Sequence, residues 1–231
     1  MIDKRCSSAD AAVADIADNA TIMIGGFGPA GQPCVLLEAL VRRRPRGLTL
    51  ISNNAGNGDH GLAALLKAGC VKKMVCSFPR QPDSWVFDGL YRQGDIDLEL
   101  VPQGTLVARI QAGGAGLGGI FTPTGAGTAL AAGKEVRDIA GRQYIFEMPL
   151  RADYALIHAE RADRWGNLVF SKAARNFNPI MAMAADCTIA ETRHQVPLGS
   201  LDPEAVVTPG FFVQRVVAAP RSLPTDTEGH P

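Results

Sequence analysis

Apolar positions along the chain fall into short runs separated by amphipathic stretches. Thr21 to Ile24 and Leu48 to Ile51 are continuous apolar runs of strand length, the pattern of strands covered on both faces. Val71 to Ser77 and Leu98 to Val101 read as two further strands. Helical patterns alternate with them. One opens at Pro33 and carries Val35, Leu36, Ala39 and Leu40 on one face; others span Leu62 to Ala68, Asp83 to Tyr91 and Leu106 to Gln111. A first helix, capped by Ser7 or Ser8, runs to about Ala17. Strands and helices in turn, with short glycine-punctuated links, predict an α/β fold. It is an open, mainly parallel sheet with right-handed crossovers, flanked by helices.

After Gly113 the texture changes. Gly113 to Gly119 and Thr122-Pro123-Thr124-Gly125 read as a long glycine-rich connection. Strands are predicted at Tyr144 to Met148, Ala155 to Ala159, Leu168 to Phe170, Cys187 to Ala190 and Val213 to Val217. Arg164 to Asn167 has the composition of a hairpin turn, and Asn178-Pro179 opens a short helix to about Ala184. These elements predict an added antiparallel C-terminal part. Residues 1–219 are expected to form one α/β domain, and the polar, proline-containing residues 220–231 a flexible tail.

Charge changes the picture mainly by exclusion. Lys+Arg and Asp+Glu both number 23, so no net field recruits nucleic acid or an anionic membrane. The cluster Arg42-Arg43-Arg44 ends a predicted helix, where it complements the dipole. The acidic start (Asp3, Asp10, Asp15, Asp18) is unlike a signal peptide, and no stretch reaches the length of a membrane span. Five cysteines, odd in number and without a C-x-x-C pair, suit reduced thiols in the cytoplasm. The four histidines are scattered, so no metal site is expected.

Candidate chemistry begins where the first strand breaks into Gly25-Gly26-Phe27-Gly28-Pro29-Ala30-Gly31. A strand, a glycine turn and a helix start bring backbone close to a ligand and aim a helix N-terminus at it. The turn satisfies G-x-G-x-x-G, yet two features oppose a dinucleotide. The second strand ends Ile51-Ser52-Asn53-Asn54, without the carboxylate that would hold a ribose, and Pro29 removes a backbone donor. Amides stand where the acid is missing. Asn53 and Asn54 follow the second strand and Gln103 follows the fourth, a neutral, donor-rich set suited to an acyl oxygen that gains charge during reaction. Both glycine turn and amides also have a plainer reading, as a tight crossover and as ordinary turn residues.

Asp18 to Pro33 fits a longer signature: an Asp/Asn and Gly/Asn pair, two free positions, three aliphatics, Gly-Gly-Phe, three free positions and Gly-x-Pro. On this match the chain resembles the A (alpha) chains of the two-subunit, family I CoA-transferases. The resemblance continues through Ser52 to Gly56, Pro102-Gln103-Gly104, Gly113 to Gly116, Thr122 to Gly125 and Ala174-Arg175-Asn176-Phe177. Cys76 to Gln81, with Asp83-Ser84 and Val86 to Asp88, is most similar to the 3-oxoadipate type. Ala126 departs from the tyrosine common in relatives.

The resemblance implies ping-pong transfer of coenzyme A, a co-substrate rather than a tightly bound cofactor, from succinyl-CoA to 3-oxoadipate in the breakdown of aromatic compounds. The covalent intermediate is a glutamyl-CoA thioester. The nucleophile of such enzymes lies in a Glu-Asn-Gly setting on the B subunit, and no glutamate of this chain is followed by Asn-Gly. A partner B subunit in a heterodimer or heterotetramer is therefore implied. Gly25 to Gly31 would bind coenzyme A, and Asn53, Asn54 and Gln103 would line the acyl site. Arg80 is a candidate for the distal carboxylate of a dicarboxylic substrate. Glu147 is expected to pair with a base or face solvent. Exchange of acetoacetate or another short 3-oxo acid, and a non-catalytic ligand-sensing domain, remain alternatives.

Overall fold

The computed structural model of the chain describes residues 2–219, so the tail expected over 220–231 lies outside the described residues. In chain order the elements begin α1 (Ala9–Val13), β1 (Thr21–Ile24), α2 (Cys34–Arg43), β2 (Leu48–Ile51), α3 (Leu62–Lys67), β3 (Val71–Cys76), α4 (Trp85–Gln93), β4 (Asp97–Leu100) and α5 (Gln103–Gly114). They continue β5 (Ile120–Thr122), β6 (Val136–Ile139), β7 (Arg142–Glu147), β8 (Ala152–Asp163), β9 (Leu168–Val169), α6 (Asn178–Met183), β10 (Ala185–Val196) and β11 (Arg215–Ala218).

The main sheet has eight strands in the order β11-β10-β8-β1-β2-β3-β4, with β9 paired to β8. Every pair along that order is parallel, and the β8–β9 pair is antiparallel. Alternation along each strand divides the core into two layers. Ile22, Ile24, Leu48, Leu50 and Met74 pack with Leu36, Leu40, Leu62 and Phe87 of α2 to α4. Met23, Ile51, Val75 and Ile157 pack on the other face with Leu106 and Ile110 of α5 and Met181 of α6. Because β1 sends its chain to the α2 face and β8 sends its chain to the α6 face, the sheet reverses its winding between them.

The early elements agree with the hydrophobic pattern to within a few residues. The differences come later and have physical causes. The antiparallel part is a three-stranded sheet, β5-β7-β6, built from residues 120–147 in mid-chain, whereas β8, β10 and β11 extend the parallel sheet. β6 is exposed at all four positions, so no apolar pattern marks it. The helix expected from Leu106 starts at Gln103, with Pro102 as its N-cap residue. β8 and β10 are 12 residues each and pair in one ladder to Val196↔Asp163, the end of β8 keeping Ala162 and Asp163 buried and that of β10 lying in solvent.

Candidate active site

The parallel strands bring four chain segments to one edge. Met23 pairs with Ile51 and Ile51 with Val75, so two residues further on Gly25, Asn53 and Ser77 form a row at the strand ends. Asn54 continues in a bridge to Phe78, and Gln103 enters from the start of α5. Open α/β sheets bind ligands at this carboxyl edge, where the winding reverses.

Asn53 and Gln103 do meet. Asn53, 2% exposed, accepts through Oδ1 from Ser77 Oγ at 2.8 Å and from Gln103 Nε2 at 2.8 Å. Its backbone carbonyl accepts from Ser77 N and Phe78 N, fixing the main chain as well. Ser77 is thus a member of the cluster that sequence reasoning missed, being read as the end of a strand and as part of the segment Cys76 to Gln81, with no role in the site. Asn54 takes a different course. Neighbouring residues in extended chain face opposite ways, and Asn54 Oδ1 turns back to accept from Gly56 N at 3.0 Å. In both asparagines the oxygen end is tied down, while neither Nδ2 has a hydrogen bond among the described residues. Two buried carboxamides with free N–H groups are donors for a developing negative oxygen.

The glycine turn is less rich in donors than its composition suggests. Gly25 N donates to Leu156 O, Phe27 N to Ala30 O and Ala30 N to Phe27 O. Gly26 N donates to Asn176 Oδ1 at 3.2 Å, and Pro29 has no N–H. Only the N–H groups of Gly28 and Gly31 stay without a partner among the described residues. Gly26, Gly28 and Gly31 have φ of 121°, 58° and 70°, and the space beside Gly28 is empty to 4 Å. Phe27 and Pro29, both exposed, lie at its rim.

Two asparagines from far along the chain clamp this turn. Asn176 Nδ2 donates to Ala30 O at 2.9 Å, and Asn178, fully buried, donates to Gly31 O at 3.0 Å and Ala174 O at 2.8 Å. Asn178 Oδ1 accepts from His158 N at 3.1 Å. The approach is so close that a Cβ on Gly25 would overlap Asn178 Oδ1. Asn178 was legible as a helix start; its side chain holds the glycine turn instead of capping α6, whose N-cap is Phe177. Below the turn, α2 has no cap from its own neighbourhood. Glu191 supplies one from β10: its Oε2 accepts from Leu36 N at 3.0 Å, while Oε1 lies 3.0 Å from His158 Nδ1.

Other candidates stand apart. Arg80 donates through Nε to Asp88 Oδ1 at 2.7 Å, with more than half of its side chain in solvent. Glu147 is 5% exposed and ion-paired, with Lys134 Nζ at 2.6 Å and Arg109 Nε at 4.0 Å. It borders a recess of ≈ 290 Å³ whose other charged groups, Glu99, Arg109, Lys134 and Glu135, are likewise paired. Burial alone would raise the Glu99 carboxyl, but bonds from Lys73 and Arg109 outweigh it and hold it below its usual range. No group of His, Cys, Asp and Glu able to hold a metal occurs among the described residues.

The parallel sheet carries a glycine turn and unengaged amides at its carboxyl edge, and the family is shown by comparison. The coenzyme A transferase family profile matches residues 6–219, and the chain belongs to that family. It is 62% identical over 218 residues to the A subunit of 3-oxoadipate CoA-transferase from Pseudomonas putida, covering 94% of each chain. It is 47% identical to the A subunit of succinyl-CoA:3-ketoacid coenzyme A transferase from Xanthomonas campestris pv. campestris, over 93% of this chain and 88% of that one. Among solved structures, an acyl-CoA transferase of E. coli O157:H7, crystallised as a thioester complex with CoA, superposes with a TM-score of 0.84 at 24% identity. The match covers 96% of this chain and 48% of that one, so the chain spans about half of that structure and shares its fold.

Proposed function

We propose that the chain is the A subunit of a transferase that moves coenzyme A from succinyl-CoA to 3-oxoadipate in aromatic-compound breakdown. It works with a B subunit that carries the nucleophilic glutamate, through a glutamyl-CoA thioester on that partner. The 62% identity to a relative named for 3-oxoadipate, against 47% to one named for 3-ketoacids, is the observation that carries the choice of acceptor. The absence of Glu-Asn-Gly from the sequence supports a nucleophile held elsewhere. Five cysteines without a disulfide suit the reducing cytoplasm.

The residues of the edge divide the work. The turn from Gly25 to Gly31 leaves open space at Gly28 and two free N–H groups, a cradle that fits the thioester arm of coenzyme A. The Nδ2 groups of Asn53 and Asn54 donate to the acyl oxygen as it gains charge, and Gln103, bonded to Asn53, completes that side. Arg80 stands apart from these amides, bonded to Asp88 through Nε, and its NH1 and NH2 are the candidate donors for a distal carboxylate.

Co-production with the B subunit, then assay with succinyl-CoA and a panel of 3-oxo acids, tests the reading. The expected preference for 3-oxoadipate over acetoacetate in kcat/KM is at least about tenfold. Preference for acetoacetate would reassign the acceptor, and turnover by this chain alone would overturn the shared active site.

A further inference from the structure

Coenzyme A carries its negative charge on phosphates, and the glycine turn has little to offer them. Four of its N–H groups are engaged within the protein, one position is proline, and two donors remain. No charged residue of either sign occurs between Asp18 and Glu38. Whatever meets phosphate charge on this chain must come from another segment.

The segment that clamps the turn has the needed charge. The tight helical turn Lys172–Arg175 packs directly on Gly31: a Cβ there would lie 2.7 Å from Ala174 O and 2.9 Å from Ala174 Cα. Asn176 and Asn178 bolt the same segment to Gly26, Ala30 and Gly31. Lys172 is held at φ 47°, a left-handed conformation that non-glycine residues seldom adopt. Neither Lys172 nor Arg175 is buried. Neither has an ion pair or hydrogen bond from its side chain among the described residues, although Arg5, Arg42, Lys67, Arg80, Arg151 and Arg215 all have acidic partners. No acid occurs between Asp163 and Asp186, so nothing nearby in sequence neutralises them. The place is also where the sheet reverses its winding, between β1 and β8.

We propose that Lys172 and Arg175 form a phosphate subsite beside the glycine turn, binding the diphosphate or the 3′-phosphate of the coenzyme A moiety. This rests on the transferase reading. The two cations anchor the charged end of the thioester, while the turn and the amides of Asn53 and Asn54 handle its uncharged arm and acyl group. The subsite acts in binding, so it governs KM for the thioester and leaves the chemical step alone.

The test uses the enzyme assembled with its B subunit and three donors: succinyl-CoA, succinyl-dephospho-CoA and succinyl-pantetheine. Lys172→Ala with Arg175→Ala should raise KM for succinyl-CoA by about tenfold or more, with kcat within about twofold. KM for succinyl-pantetheine, which has no phosphate, should not change. A penalty that persists with dephospho-CoA assigns the diphosphate; one that vanishes assigns the 3′-phosphate. The charge-conserving pair Lys172→Arg with Arg175→Lys should keep KM for succinyl-CoA within about threefold of wild type, since attraction between exposed charges is what these positions supply. Rising salt should raise wild-type KM for succinyl-CoA more steeply than that of the alanine pair. An unchanged KM, or an equal loss on succinyl-pantetheine, overturns the subsite. Wild-type enzyme inactive with all three donors would overturn the transferase reading itself, a distinct result.

Discussion

At the scale of single residues the carboxyl edge depends on which end of each amide is engaged. Asn53 Oδ1 serves Ser77 and Gln103 while its Nδ2 stays free, so the direction of the carboxamide is set by its neighbours. Asn53→Asp keeps the accepting oxygen and exchanges the donor for an acceptor; turnover should fall by about 100-fold or more, and the melting temperature should fall too, since the buried carboxylate has no cation beside it. Gln103→Ala should lose roughly 100-fold in kcat, and a loss under about threefold removes it from the acyl site. Close approach sets a second requirement. Gly25→Ala would drive a methyl into Asn178 Oδ1, and a cost of about 1–3 kcal/mol in urea unfolding is expected, with weaker thioester binding. Asn53, Asn54 and Gln103 were legible as candidates because chain order places them just past strands. Ser77 and the clamp by Asn176 and Asn178 were not. Their roles depend on contacts 24 and 150 positions apart, which no local pattern encodes.

At the scale of elements, α2 shows how a helix can be finished by a distant strand. Glu191, 2% exposed on β10, caps Leu36 N and lies against His158. Glu191→Ala leaves the buried Leu36 N and the half-buried His158 ring unmatched, and should cost about 2–4 kcal/mol by urea unfolding. Lys73, Glu99 and Arg109 tie β3, β4 and α5 together. The Glu99 carboxyl titrates below its usual 4.5 in the folded chain, so the unfolded chain binds more protons there and the contribution to stability is present above that pH. It fades as pH falls through the lower folded value. Glu99→Gln should therefore lower the urea midpoint at pH 7, and the gap from wild type should close in acid. Strands β1 to β3 could be read from sequence since they are largely apolar and buried, and β4, an edge strand with no buried position, only through Leu98 to Val101. β6 and the outer end of β10 could not, because hydrogen-bonded ladders rather than apolar burial hold them, and the end of β8 buries Ala162 between polar residues that hide its pattern.

At the scale of the whole molecule, the parallel sheet with helices on both faces was legible from the alternation of patterns, and the order of its strands was not. Cys76, on β3 in the layer beneath α2 to α4, reports on the integrity of this architecture. Burial pushes its thiol up to about 12, so it is neutral and shielded at neutral pH. Alkylation at Cys76, followed by mass spectrometry in increasing urea, should track global unfolding. Modification well below the unfolding midpoint would reveal a local opening of the β2–β3 region.

The strand order also has a consequence for how the chain is made. β1 lies in the middle of the finished sheet, yet its partner on one side, β8, follows it by more than a hundred residues: Met23 pairs with Ala155. At ribosomal rates of about 5–20 residues per second, roughly 7–26 s separate the two. Through that interval β1 to β4 can assemble, while β1 presents a bare, apolar, hydrogen-bonding margin to other nascent chains. Synthesis is thus the moment at which this protein is most open to aggregation. Chains cut short before β8 should collect in the insoluble fraction, however well their first four strands are formed.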